Sequence, residues 1–303
     1  MQQFTSFAQL CDMAEKDFLQ KCLVSQGHSC GVCLKKCPVF LEPRFGLAQK
    51  EPVTLMEKIV DLLRGGPPSP EVYIMTYACM HGCSTATCEP ACPVRLNLGG
   101  VFTAAARRLR AAGMELPPLY YQCAGMHHYD FGHVFGDLQM KQSEAPWLTK
   151  VPAQPASVDV VLFVSCIGQG FPHLVLETMD ILSRMGINFV ALGDRNVCCG
   201  MTRYILGDME GAQKVAEKYV STMAQFRAKK VVSLCPICSL CGTRILPRFF
   251  PVPFESQHVT EFLADNLDKL QFTKQPNKVV TVHDSCSQRV TKRWDAPDRK
   301  SVV

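Results

Sequence analysis

Hydrophobic positions recur at two different periods along the chain, and the change comes near its middle. Before about Tyr120 the apolar residues follow helical spacing, most clearly from Pro52 to the glycines and prolines at 65–68. Apolar residues three and four positions apart are typical of one packed helix face, and proline is tolerated at the first position. A second helix is predicted over 100–112, with Gly113 as its C-terminal stop. The first part of the chain is therefore predicted to be mostly α-helical.

From Val158 onward, short apolar runs alternate with longer amphipathic segments. Strands that alternate with helices in this way are typical of an open parallel sheet with helices packed on it. The predicted strands cover residues 159–165, 188–192, 231–234 and 279–282, and the predicted helices cover 174–185, 211–227 and 259–270. The second part of the chain is therefore predicted to be α/β.

The composition is unusual in its high cysteine content. The 303 residues are 47% hydrophobic and 19% charged, as in ordinary globular proteins, but they include 17 cysteines. No basic segment followed by an apolar run stands at the N-terminus, so neither a secretory signal nor a disulfide framework is expected. The longest apolar run, 158–167, is about half the ~20 residues that span a bilayer as a helix. We therefore expect a cytoplasmic metal-binding protein with no transmembrane segment of its own.

A duplicated motif organises the cysteines of the first third of the chain. Each copy ends in Cys-x3-Cys-Pro-Val, at 33–39 and 88–94, and two more cysteines precede each ending. The first copy contains the latter part of the C-x2-C-x2-C-x3-C-P run of bacterial ferredoxins, whose fourth cysteine binds the other cluster of the pair. On that pattern one 4Fe-4S cluster is expected at Cys22, Cys30, Cys33 and Cys92, and a second at Cys79, Cys83, Cys88 and Cys37.

Both copies depart from the ferredoxin spacing. Gly27 stands where the first cysteine is expected, and Cys22 lies five residues further upstream. The second copy has gaps of three and four residues where two and two are usual. An insertion can loop out without moving a ligand, so the assignment is kept. Zinc also binds paired thiolates, and a zinc-binding interaction module is the alternative from another class.

Five further cysteines form a separate constellation in the second half. Two of them directly follow predicted strands, and an adjacent pair lies in the loop after another strand. Because ligands of open α/β sheets bind outside the carboxyl ends of the strands, the five thiols are expected to meet at one edge. Five is one more than a simple cubane cluster usually needs, so either one thiol is spare or the cluster is not a cubane. The five are Cys166, Cys198, Cys199, Cys235 and Cys238.

The spacing C-x31-CC-x35-C-x2-C, with Gly200 after the pair, resembles the cysteine-rich CCG domain of the heterodisulfide reductase family. Asn196-Val197, Gly207-Asp208 and Pro236 are similar to the flanking residues of that domain. With the duplicated motif in front, the layout resembles the D subunit of methanogen-type heterodisulfide reductases and the iron-sulfur subunits of glycolate oxidases. The resemblance implies a helical dicluster ferredoxin domain followed by an α/β CCG domain with a parallel sheet. It also implies a further, noncubane 4Fe-4S cluster at the CCG cysteines.

Four segments are expected on this layout. A helical ferredoxin-like domain with two 4Fe-4S clusters covers residues 1–142, and the proline-containing stretch 143–157 is a linker. The CCG domain covers 158–275. Residues 276–303, which include His283-Asp284-Ser285-Cys286, resemble the start of a second, incomplete CCG unit.

The function implied by the resemblance is electron transfer in a redox complex. Electrons would pass through two ferredoxin-type clusters to the CCG cluster, where Cys198 and Cys199 would be the catalytic residues acting on a thiol or disulfide. The alternative is a pure relay subunit of a glycolate- or lactate-type oxidase. Partners would be other redox subunits, a membrane cytochrome or a flavoprotein, holding the chain at the inner face of the membrane. The formal charge of +5 does not indicate nucleic-acid binding, since each thiolate-bound cluster contributes about −2.

The remaining candidates are expected to have lesser roles. Cys11 and Cys123 are interpreted as small buried hydrophobes, and Cys241 as structural. His283 could deliver a proton to a leaving thiolate, although a histidine at a strand end is more often only hydrogen-bonded in place.

Overall fold

The structure, a computed structural model, describes residues 4–79, 87–116, 147, 157–193, 197–271 and 279. These residues form two units. One contains the described parts of 4–121 together with 202–213, and the other contains those of 122–201 and 214–303. The segment 202–213 therefore belongs with the N-terminal unit although it lies within the CCG stretch of the sequence.

The N-terminal unit is helical in its described residues, as the sequence pattern predicts. Short 3-10 turns follow the first and third helices, at Val24–Gln26 and Pro43–Phe45. No helix in the described parts of the chain is long and apolar enough to cross a membrane. The helices are α1 Phe7–Lys21, α2 Val32–Lys35, α3 Pro38–Leu41, α4 Pro52–Leu63, α5 Pro70–Cys79, α6 Cys88–Ala91 and α7 Leu98–Ala111.

Helices α1 and α7 pack closely because a glycine lies where they meet. A Cβ atom built at Gly100 would lie 2.5 Å from the Cβ of Ala14, so any larger residue would push the helices apart. The buried carboxylate of Glu15 on α1 forms ion pairs with Arg107 and Arg108 of α7. Both contacts fix α1, whose C-terminal end leads directly into Cys22.

Segment 202–213 packs against helices α1 and α7 of the same unit. The ring of Tyr204 lies 5.2 Å from that of Phe7, and the Phe7 N–H donates to the side chain of Gln213. Gly207 has a φ of +81°, and a Cβ there would lie 2.5 Å from the backbone nitrogen of Arg107. Only glycine combines this left-handed conformation with so close an approach.

The second unit contains a four-stranded parallel sheet with strand order β2-β1-β3-β4. Strand β1 is buried along its whole length, as expected for a central parallel strand covered on both faces. A π-helical turn, Cys241–Ile245, and 3-10 turns at Leu246–Arg248 and Leu267–Lys269 complete the described elements. The strands are β1 Val160–Phe163, β2 Phe189–Leu192, β3 Lys230–Ser233 and β4 Glu255–His258; the helices over 160–265 are α8 Ser165–Gly168, α9 Pro172–Arg184, α10 Met201–Ile205, α11 Met209–Gln225, α12 Pro236–Leu240 and α13 Val259–Asp265. Most of α10 and the start of α11 lie in segment 202–213, which belongs to the N-terminal unit.

Three of the predicted strands are confirmed, and strand β4 is not among the predictions. Its sequence, Glu-Ser-Gln-His, has none of the apolar residues that mark β1 to β3, yet its last three residues are buried. The side chain of Gln257 accepts from Lys230 Nζ at 3.0 Å and donates to Asp265 Oδ2 at 2.8 Å. These bonds satisfy the buried amide, and that is why a polar strand is stable here. The strand predicted at 279–282 lies outside the described residues except for Val279.

Strand β4 ends in a buried histidine that caps helix α13. The Nδ1 atom of His258 accepts from the Thr260 N–H, and Nε2 lies 3.2 Å from the Leu234 carbonyl oxygen. The neutral ring therefore has a partner at each nitrogen. Burial lowers the pKa of His258 to about 4, while the bond to the Leu234 carbonyl opposes this shift.

The stability of the second unit should consequently fall in mild acid. The folded-state pKa of His258 is below its unfolded value. The stabilisation that the neutral ring of His258 provides is therefore complete above about pH 6.5 and is lost as the pH falls towards 4. The expected loss is ~3 kcal/mol over that window. Urea unfolding of wild type and His258→Asn at several pH values measures it, since asparagine can cap the helix without titrating. An equal pH slope in the two proteins would contradict the assignment.

Candidate metal centres

Four cysteines of the duplicated motif line one cavity in the N-terminal unit. Apolar side chains such as Phe18, Met56 and Leu98 form the rest of its wall. Three of the cysteines come from the first copy of the motif and one comes from the second. They are Cys22, Cys30, Cys33 and Cys92.

Local backbone geometry places the three thiols of the first copy. Cys22 caps α1, and its N–H donates to the Phe18 carbonyl at 2.9 Å. Between Cys30 and Cys33, Gly31 has a φ of +75°, and a Cβ there would lie 2.8 Å from that of Pro52. Gly31 thus permits the tight turn in which both cysteines reach the cavity.

The cavity disfavours an uncompensated thiolate. Burial raises the pKa of Cys22, and burial together with neighbouring Cys22 and Cys92 raises the pKa of Cys33 to about 12. Such thiols stay protonated unless a cation replaces their protons. A group that brings positive charge to four converging thiols fits this chemistry.

The cysteines expected to hold a second cluster are placed on neighbouring elements. Cys37 precedes α3, Cys79 ends α5 and Cys88 begins α6. Helix α3 contacts α5, and α2 contacts α6. All three thiols are buried, and the fourth expected ligand, Cys83, lies outside the described residues.

The CCG cysteines converge in the second unit. The Sγ atoms of Cys199 and Cys238 are 3.4 Å apart, Cys238 is hydrogen-bonded to Cys235, and Cys198 to Cys166. Together the five thiols form one continuous group. All except Cys166 are buried, and Cys166 is partly exposed.

The carboxyl ends of the strands position this group. Cys166 follows β1 through Ser165, a buried non-glycine residue with a φ of +66°, and Cys235 follows β3 and precedes α12. Strained backbone of this kind is often found at functional sites. The paired cysteines come after β2, and Gly200 behind them has a φ of +82°. Its N–H donates to Cys198 Sγ at 3.4 Å.

The thiols of the CCG group cannot all be ionised without a cation. A hydrogen bond with Cys166 lowers the pKa of Cys198, but the bond with Cys199 and burial outweigh it and raise the value to about 12. The bond from Cys238 lowers the pKa of Cys235 to about 7, whereas bonds to Cys199 and Cys235 and burial raise that of Cys238. A positively charged iron-sulfur core would relieve this crowding of sulfur.

Cys241 is a sixth thiol of the CCG group, although its sequence position predicts only a structural role. It is fully buried, and its Sγ atom lies 3.4 Å from the carbonyl oxygen of Cys199. The signal that could have identified it is its position as the third cysteine of the run C-x2-C-x2-C over 235–241. Tyr219 is also close, since Cys238, Cys199 and Cys241 add to the effect of burial in raising its pKa.

Of the remaining candidates, Cys11 is the one that the structure describes. Cys11 is fully buried within α1, as expected for a small hydrophobe. Cys123, His283 and Cys286 lie outside the described residues. Within the described ranges, no set of three or more His, Cys, Asp or Glu side chains is arranged to hold a single metal ion.

Comparison with known proteins points to one kind of domain. The cysteine-rich domain family CCG matches residues 160–241, the stretch that carries the five converging thiols. The D subunit of the dihydromethanophenazine:CoB--CoM heterodisulfide reductase of Methanosarcina barkeri is 27% identical over 280 residues, or 85% of this chain and 67% of the relative. Its counterpart in Methanosarcina mazei is 26% identical over the same shares.

A second kind of relative is similar over a shorter stretch. The EtfAB:quinone oxidoreductase of Syntrophomonas wolfei is 29% identical over 144 residues, which is 45% of this chain and 20% of that protein. No solved structure matches the chain. The similarities and the grouped thiols together support a redox protein of the iron-sulfur type that carries a CCG domain.

Proposed function

We propose that this chain, which is similar over most of its length to the D subunit of heterodisulfide reductases, is the electron-transfer subunit of a heterodisulfide-reductase-like complex. Two ferredoxin-type 4Fe-4S clusters in the N-terminal part relay electrons to a further cluster at the CCG cysteines. That cluster acts on a thiol or disulfide, with Cys198 and Cys199 as the catalytic residues. The observation that carries the proposal is the convergence of the CCG thiols, from Cys166 to Cys238, at the carboxyl edge of the sheet.

The lining of the first cavity favours clusters over zinc. Three of its cysteines come from the first copy of the motif and the fourth comes from the second copy, which is the crossed arrangement of two-cluster ferredoxins. A zinc site needs neither a duplicated motif nor a ligand from the other copy.

At the CCG site, the chain's own residues would hold and shield the reacting centre. A bound iron-sulfur core supplies electrons one at a time. The thiols of Cys198, Cys199 and Cys238 lie in the interior, where water is excluded, and the Gly200 N–H donates to sulfur. Cys166 is the partly exposed member, so a thiol or disulfide would approach the group from its side.

A relay without chemistry of its own is the second candidate. It is favoured by the similarity to EtfAB:quinone oxidoreductase, which covers 45% of the chain. In that case a flavoprotein partner performs the reaction. In either case the proposed partners are other redox subunits, a membrane cytochrome or a flavoprotein, and the proposed location is the inner face of the membrane.

Oxidation in the presence of thiols separates the two candidates. In anaerobically purified wild type, a thiol such as a mercaptoalkanesulfonate should produce a new electron paramagnetic resonance (EPR) signal. Cys198→Ser and Cys199→Ser should reduce that signal to background, because the group that binds the substrate sulfur is disrupted.

Cys11→Ala is the matched control, since it removes a buried thiol that belongs to neither site. It should leave the thiol-dependent signal unchanged. Full iron content with no effect of thiols in the wild type would support the relay, and zinc in place of iron would contradict both candidates.

A further inference from the structure

The N-terminal unit exposes large apolar side chains in one short segment. Within its described residues, those that are exposed all lie between positions 32 and 45: Val32 is 37% exposed, Leu41 52% and Phe45 39%. Val32 begins α2, Leu41 ends α3 and Phe45 ends the 3-10 turn after it. Helix α3 contacts both α2 and this turn. Exposed apolar side chains grouped on a surface mark a site where another molecule binds.

The same segment is basic. Residues 30–46 contain three basic side chains and one acidic side chain, a formal charge of +2. The acid, Glu42, forms an ion pair with Arg44. Lys35 and Lys36 are exposed, and neither forms an ion pair within the described part of the chain. Both lysines are therefore available to acidic groups of a partner.

This segment also contains thiols proposed for both N-terminal clusters. Among the cysteines described in this unit, the two that are partly exposed are Cys30 and Cys33. Val32 stands between them, and Lys35 lies about one helical turn after Val32, on the same face of α2. Cys37, a proposed ligand of the second cluster, directly follows the lysines. A partner bound here would thus lie beside ligands of both clusters.

We propose that an electron donor docks on this α2–α3 surface, which consists of Val32, Lys35, Lys36, Leu41 and Phe45. The donor is a redox protein that presents carboxylates around its own redox centre. One electron passes from the reduced donor to the oxidised cluster of the first copy, so the donor is oxidised by one electron and no bond or proton moves. The inference rests on the proposed function, because it requires a cluster in the N-terminal unit.

Charge and apolar exposure together favour an acidic redox protein as the occupant. Opposite charges steer partners together and speed their association, and apolar side chains within a polar rim are typical of protein interfaces. A membrane with anionic lipids also attracts lysines beside apolar side chains. Lipid delivers no electrons, however, whereas the partly exposed thiols Cys30 and Cys33 belong to this same segment. A redox protein therefore explains more of the surface than a lipid does.

Reduction by an acidic bacterial ferredoxin tests the α2–α3 surface. The full chain, purified anaerobically with its clusters, is mixed with reduced ferredoxin in a stopped-flow instrument. In Lys35→Glu/Lys36→Glu the second-order rate constant should fall about tenfold at low ionic strength and come within about twofold of wild type in ~0.5 M salt, because salt screens the charges. Leu41→Gln should lower it about fivefold at both ionic strengths, because salt does not screen the lost apolar contact.

Lys214→Glu/Lys218→Glu is the matched control. It makes the same change of charge at two exposed lysines of α11. Its rate constant should stay within about twofold of that of wild type. Full iron content and undiminished reduction by methyl viologen radical, a small molecule that needs no docking surface, would show that the clusters of Lys35→Glu/Lys36→Glu are intact.

Each other result counts against the surface or against the proposed function. Equal rate constants in wild type and Lys35→Glu/Lys36→Glu at low salt, or equal losses in both lysine pairs, would overturn the docking surface. If Lys35→Glu/Lys36→Glu loses its clusters, the wild type is decisive alone, because a rate constant that does not fall as salt is added contradicts the proposal. Binding of wild type but not of this variant to phosphatidylglycerol vesicles, with equal rates of reduction, would identify a lipid surface instead. Absence of iron from the wild type would contradict the proposed function.

Discussion

The variant Cys92→Ala should lose about four iron atoms and their sulfides per chain. Cys92 belongs to the second copy of the motif, yet it lines the cavity of Cys22, Cys30 and Cys33. Under the proposed function, its loss removes a ligand from the cluster of the first copy. Iron and acid-labile sulfide analysis after anaerobic purification measures the effect.

A double variant shows whether the crossed arrangement is correct. If Cys30 and Cys92 serve one cluster, Cys30→Ala/Cys92→Ala should lose no more iron than either single variant. Losses that add up to about eight iron atoms would place the two cysteines on different clusters. Cys11→Ala should keep the full complement, because Cys11 lies outside the cavity lining.

Gly242→Ala is expected to destabilise the second unit by ~3 kcal/mol. The new Cβ would lie 2.0 Å from Ser256 Oγ and 2.6 Å from its Cβ, distances that force β4 and the π-helical turn apart. Ser256 is buried, so its short side chain cannot swing into solvent. The change in unfolding free energy is measured by urea denaturation.

A second substitution removes the Ser256 side chain that the new Cβ would meet. Ser256→Gly in the Gly242→Ala background frees the space, and most of the lost stability should return. Ser256→Gly alone should be mildly destabilising, by about 1 kcal/mol, because glycine weakens a strand. Equal stability of Gly242→Ala and wild type would show that the turn and β4 do not meet as described.

Strands β1 to β3 and the placement of the cysteines after them could be predicted from local pattern alone. Each of these strands is an apolar run, and the carboxyl ends of parallel strands share one edge. Strand β4 could not, because the burial of Gln257 depends on partners at Lys230 and Asp265. Such contacts leave no periodic signal in the strand itself.

The contact of Cys241 with the Cys199 carbonyl was equally hidden from the sequence. The spacing of Cys241 from Cys238 is visible, but the direction of its side chain depends on the π-helical turn. At that turn a Cβ on Gly242 would lie 2.0 Å from Ser256 Oγ, a close approach of two residues well separated in the chain. Spacing can thus predict which thiols gather, whereas tertiary packing decides which atoms each of them contacts.

Segment 202–213 has a practical consequence for any attempt to divide the protein. It follows the paired cysteines by only a few residues, yet Tyr204 and Gln213 contact Phe7 near the start of the chain. A recombinant fragment that begins at residue 143 would carry these side chains without their partner, and the complementary fragment would lack them. The cysteine-rich half and the helical half are therefore better produced as one polypeptide than as two separate fragments.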